Sequence, residues 1–259
     1  LREHGGDEVV EKLQLTGEGV LLGVEDLLFL LAERLGDVAL AADGRLAADE
    51  GAINRLSGHA GTIATVVAVA MSLFHLYTAY AIVPTHILRP VHVAMVLFLV
   101  FLLFPISSRF RDRVMWWDWI AAVLPVVIVA YMIHGGDNFT DRNTLPNQWD
   151  LALGITLVVL IIEGLRRTSG WIMPSIVILF ILYALFGEQL PGSWAHRNYD
   201  IGRLTGHLYM TLEGIFGTAI DVSSSLIILF TIYGAFLNRS GAGKFFIDFS
   251  FAAMGGKST

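Results

Sequence analysis

Four ionisable side chains stand inside or against long apolar runs: His75, His92, Asp118 and Glu163. Such groups are costly to desolvate in a bilayer, so they serve ion or proton pathways, or they pair internally. His75 lies in Phe74-His75-Leu76-Tyr77, near one end of its run and close to Tyr80. It reads either as a functional intramembrane group or, with Tyr77, as an anchor in an interfacial aromatic belt. His92, just after Arg89 and Pro90, reads the same way. Asp118 sits among Trp116, Trp117 and Trp119, a depth that Trp favours, and Arg111 or Arg113 is its expected partner. Glu163 precedes Arg166 and Arg167 at helical spacing, so the three share a face. They form a helix-end ion pair or a contact to another subunit or domain.

Catalysis would need such groups to converge at mid-depth, and all four are placed near interfaces. The sequence has no H-E-x-x-H, no G-x-S-x-G and no Cys, so metal-dependent and nucleophilic catalysis find no support. The closing Gly256-Lys257-Ser258-Thr259 imitates a phosphate loop, but Phe251 stands where that loop needs Gly and no strand precedes it. The reading is a non-enzyme.

The elements that carry these residues are membrane helices. Of 259 residues, 55% are hydrophobic and 15% charged, whereas soluble domains have about 25% charged residues. Six candidate spans follow one another at 61–83, 91–106, 116–133, 151–165, 171–187 and 222–237. A span needs about 20 apolar residues, so the shorter runs must extend into flanking polar positions. Residues 205–217 are apolar and aromatic but too short to cross, and they read as an interfacial or re-entrant helix. A further apolar element occupies 245–254. Ala60, Ala64, Ala68 and Ser72 recur every fourth position on the first span, a spacing that allows close helix approach. The fold class is all-α, a polytopic helical membrane protein.

The net charge of −6 divides unevenly: residues 1–60 hold 12 acidic and 5 basic side chains, leaving the remainder near neutral. Residues 1–57 form an acidic head with an amphipathic helix over about 18–36, whose polar face is acidic. That suits packing on a soluble-side partner rather than an anionic membrane surface, and it disfavours nucleic acid. Short-loop cations alternate. Arg109, Arg111, Arg113, Arg166, Arg167, Arg239, Lys244 and Lys257 fall on one side, with Arg45 and Arg55 of the head. Arg89, Arg142, Arg197 and Arg203 fall on the other. Lys/Arg-rich loops stay cytoplasmic, so the N-terminus is expected inside.

Several stretches together resemble a known family. They are His75-Leu76-Tyr77, Arg89-x-x-His92, Glu163-x-x-Arg166-Arg167-Thr168-x-Gly170 and Pro191-Gly192. Leu208-Tyr209-x-Thr211-x-Glu213-Gly214-Ile215-Phe216-Gly217 follows, then Gly234-Ala235-Phe236-Leu237-x-x-Ser240-Gly241-Ala242-Gly243-Lys244-Phe245-Phe246-Ile247-Asp248. From about 74 to 256 this order is similar to the fused membrane subunit of tripartite ATP-independent periplasmic (TRAP) transporters, of the type paired with TAXI-class binding proteins. The resemblance implies a multi-pass protein of the cell inner membrane with a cytoplasmic N-terminus. A periplasmic binding protein delivers an organic acid, and the sodium gradient drives its uptake. Residues 58–200 would be a scaffold-like region. Residues 201–259 would begin the transport region, with which the scaffold must pack. Both chain ends look cut, and the residues that bind substrate and sodium are expected beyond Thr259; no other cofactor is implied. The rival reading is a membrane-embedded sensor or anchor for a cytosolic output domain.

Overall fold

The computed structural model describes residues 56, 58–107, 110, 113–191 and 195–255. The acidic head apart from Leu56, together with Arg109, Arg111, Gly192 and Gly256 to Thr259, lies outside the described residues. Most of the rest is helical: α1 (Gly58–Tyr80), α2 (Thr85–Leu103), α3 (Trp116–Asp141), α4 (Gln148–Ser169), α5 (Ile172–Phe186), α6 (Ile201–Met210), α7 (Thr218–Val222), α8 (Ile228–Arg239) and α9 (Ala242–Gly255). A π-turn, Ser223–Ile227, joins α7 to α8, so that Thr218–Leu237 is one continuous rod. Six segments among the described residues are long and apolar enough to cross a membrane: α1 to α4, α5 with its following 3-10 turn, and the α7–α8 rod. This is an all-α, polytopic membrane fold.

The spans are longer than their apolar runs because polar residues cap them. The third extends to Asp141 and the fourth begins at Gln148. At the start of α4 the Asn147 side chain accepts from the Asp150 backbone N–H (2.8 Å), and Asp150 Oδ2 accepts from the Asn147 N–H (3.0 Å). This reciprocal pair satisfies donors that a helix start leaves open. Gly136, at φ 49° and ψ −134°, kinks α3, a conformation that a side chain would resist. The short element at 205–217 is helical only as far as Met210; residues 211–217 turn back, with the Ile215 N–H donating to the Leu208 carbonyl (2.9 Å).

α2 is the centre of the assembly. Its sequence is apolar around most of its circumference, and a helix of that kind belongs inside. It packs most extensively on α3, and also on α1, α4 and the start of the α7–α8 rod. Leu99, Phe101, Leu102 and Met71 are fully enclosed. On α1 the expected small-residue stripe supplies Ala64 and Ala68 to the buried face. α6 lies across α4, where Gly154 faces Thr205 and Tyr209; a Cβ at Gly154 would collide with both side chains. Lipid offers no hydrophobic drive between helices, so such close approach is a main source of their cohesion. Side chains from 58–200 and from 201–259 share one core: Tyr209, Met210, Phe216 and Ile228 join the cluster around α2.

Candidate functional site

Three polar clusters interrupt this apolar body. The first links α1, α2 and the α7–α8 rod. His75 Nδ1 donates to the Met71 carbonyl one turn earlier on α1 (2.7 Å). A neutral His75 therefore carries a bare Nε2, and His92 Nδ1 donates to it across 2.9 Å. His92 Nε2 in turn accepts from Ser223 Oγ at 3.2 Å. Both rings are enclosed, at 0% and 1% exposure. Beside this chain Arg89 donates from Nε to Asp221 Oδ1 (2.9 Å) and from Nη1 to the Phe216 carbonyl (2.9 Å). The start of the rod is thus held by two side chains of α2 one turn apart.

This differs from the expected interfacial anchoring of His75 and His92. Their rings face each other inside the protein, because the ends of α1 and α2 converge and each imidazole finds a polar partner on a neighbouring helix. Tyr77 does face outward, at 60% exposure, and Arg89 is mostly covered. Ser223, His92 and His75 stand in the order nucleophile, base and orienter. Ser223 is itself buried and lines neither of the two surface depressions described below, so the array reads as an interhelical lock.

The second cluster closes the opposite ends of α2, α3 and α4. Asp118 Oδ1 accepts from Arg167 Nη1 at 2.6 Å, with side-chain exposures of 1% and 3%. Arg111 lies outside the described residues, and Arg113 is not the partner. Arg167 comes from the last turn of α4, which a helix-spacing argument could not connect to α3. Arg167 also donates to the Phe104 carbonyl (3.1 Å) at the end of α2, and its guanidinium lies over the Phe101 ring at 4.9 Å. Glu163 receives Arg166 through two bonds (2.7 and 2.8 Å) and Arg167 through a third (2.8 Å). Two cations in the last turn also complement the helix dipole. Of the three tryptophans, Trp116 is exposed, while Trp117 and Trp119 are partly covered.

The third cluster, at the start of α4, was not singled out from sequence. Asp150 accepts from Arg142 Nη2 and Tyr131 Oη, both at 2.9 Å, in addition to capping α4. The carboxylate holds the Arg142 guanidinium above its already high ordinary pKa. Tyr209 of α6 packs next to it, edge-on to Phe139 at 5.1 Å, and donates to the Ile128 carbonyl (3.2 Å); burial pushes its hydroxyl up. The Asn147-x-x-Asp150 capping signature was the signal available for Asp150. Asp221 and Ser223 had none, since only their partners across the fold give them a role.

The remaining motif residues are dispersed. Glu213 is exposed in the 211–217 turn, and Gly217 caps α7. A Cβ at Gly214 would strike the backbone of His207 and Leu208. Gly234 has open space around it on α8. Ser240 and Gly241 (φ 73°) make the turn into α9, where Gly243 and Asp248 are exposed. Among the described residues no group of three His, Cys, Asp or Glu side chains could hold a metal ion. What the three clusters do is fasten helices at both ends of the bundle.

No curated protein and no solved structure matches the chain. Residues 155–258, from within α4 to beyond α9, match the family described as Tripartite ATP-independent periplasmic transporter, DctM component, so that over this stretch the chain is similar to a TRAP transporter permease subunit, consistent with the resemblance its motifs carry.

Proposed function

We propose that this chain is the membrane subunit of a sodium-coupled secondary transporter, of the TAXI-associated type, taking up an organic acid handed over by a periplasmic binding protein. The match over 155–258 carries this reading, together with six spans in series. The protein sits in the inner membrane with its N-terminus in the cytoplasm, as the loop cations favour. It catalyses no chemical change. Sodium is its co-transported cargo, and the remainder of its own transport region is its immediate partner.

In this reading α1–α4 are the brace. The clasp Asp118–Arg167–Glu163 closes one end of the brace, and Tyr131–Arg142–Asp150 closes the other. The α7–α8 rod begins the transport region and is moored to the brace through Arg89–Asp221 and His92–Ser223. A mobile substrate-carrying body needs such a fixed reference to move against.

The test is uptake into proteoliposomes holding the full-length protein, with its binding protein outside and a panel of radiolabelled organic acids. Accumulation should require an inward sodium gradient. Equal uptake without sodium removes the symport claim, and uptake without the binding protein removes the delivery claim.

A further inference from the structure

Between α4, α5 and α6 runs an apolar groove of about 340 Å³, formed by residues that include Ile161, Ile176, Phe180, Ala184, Leu208 and Ile215. A second depression, of about 310 Å³, is lined by His196, Arg197, Asn198, Tyr199 and Arg203. The two adjoin. The Tyr199 N–H donates to the carbonyl of Ala184 (3.1 Å), and His196 Nε2 lies 3.0 Å from the carbonyl of Tyr183. Arg203 and Leu204 are consecutive on α6, one in each depression.

The cations in the polar depression are available. Among the described residues neither Arg197 nor Arg203 has an ion-pair partner. The carboxylates beside the depression bond to neutral donors and not to these guanidiniums: Glu188 Oε2 accepts from Asn198 Nδ2 (3.3 Å), and Asp200 Oδ2 accepts from the Gly202 N–H (2.9 Å). The groove, by contrast, offers almost nothing polar, so its occupant must bring no unsatisfied donors or acceptors. A hydrocarbon chain meets that condition. A peptide strand does not, and an apolar helix, which does, would leave the adjoining Arg197 and Arg203 without an anion.

We propose that the two depressions form one site for an anionic diacyl phospholipid of the phosphatidylglycerol type. One acyl chain lies in the groove, and the phosphate lies between Arg197 and Arg203. Guanidinium groups bind phosphate through paired hydrogen bonds, and basic side chains at the membrane surface favour anionic lipid.

Native mass spectrometry of the full-length protein tests this, with the protein in neutral detergent and equal amounts of phosphatidylglycerol and phosphatidylcholine of matched chains. Phosphatidylglycerol should be retained about tenfold over phosphatidylcholine. R197Q/R203Q should bring that ratio to about one. Ala184→Phe, which fills the groove, should lower retention of both lipids, whereas Val159→Phe on the exposed face of α4 should not. sn-Glycerol 3-phosphate alone should displace neither. Equal retention by the unaltered protein, an unchanged ratio in R197Q/R203Q, or displacement by glycerol phosphate would each overturn the site. Ala184→Phe decides the groove independently should R197Q/R203Q lose its monodisperse, helical state. No readout involves uptake, so failure here leaves the transport reading untouched.

Discussion

His92 Nδ1 lies 2.9 Å from His75 Nε2, joining two helices through a pair of enclosed imidazoles. The same His92 accepts from Ser223 on a third helix, so one ring ties α1, α2 and the α7–α8 rod together. His92→Leu should therefore orphan both the Ser223 hydroxyl and His75 Nε2. The expected loss is about 1–3 kcal/mol, the cost of leaving buried polar groups unpaired. The double variant H75L/H92L should cost clearly less than the two single changes summed, with a coupling of about 0.5–3 kcal/mol. Thermal unfolding in detergent measures all three; strict additivity would show that the rings do not depend on each other.

Arg167 and Asp118 form the most enclosed ion pair among the described residues. Removing one partner of such a pair leaves an uncompensated charge, which costs about 3–5 kcal/mol. Arg167→Met should show that loss. Glu163→Gln should cost at most about 1 kcal/mol, since Glu163 is 28% exposed and Arg167 keeps Asp118 and the Phe104 carbonyl. Comparable losses in the two variants would contradict this ranking.

Glycines on this chain differ in what surrounds them. Gly154→Val should destabilise by about 1–3 kcal/mol, because Thr205 and Tyr209 already occupy the space a side chain needs. Gly234→Ala should be neutral or slightly stabilising, as nothing lies within 4 Å and Ala is the better helix former. Unfolding midpoints of the two variants read this directly. If Gly154→Val left the midpoint in place, α4 and α6 would not be packed as closely as described.

Orientation can be read without background, because the chain has no cysteine. Leu145, 84% exposed in the α3–α4 connection, and Ser107, exposed after α2, lie at opposite ends of the bundle. Leu145→Cys should react with a membrane-impermeant maleimide on intact spheroplasts. Ser107→Cys should react only after permeabilisation. The reverse pattern would invert the topology.

Hydropathy and spacing determined much of this protein by themselves. Six apolar runs of near-bilayer length must become helices, because lipid leaves backbone groups no other partner. Glu163 with Arg166 and Arg167 was equally local: helical spacing alone brings them together. Span ends were less legible, since capping by Asn147 and Asp150 carried α4 past the apolar run. What no local pattern contained was the meeting of distant residues. Arg167 reaches Asp118 across 49 positions, His92 reaches Ser223 across 131, and Arg89 reaches Asp221 across 132. A helix rises 1.5 Å per residue and repeats every 3.6, so sequence states which face a residue is on but not which helix that face meets. Tertiary packing decided that, and with it whether a histidine faced lipid headgroups or another histidine.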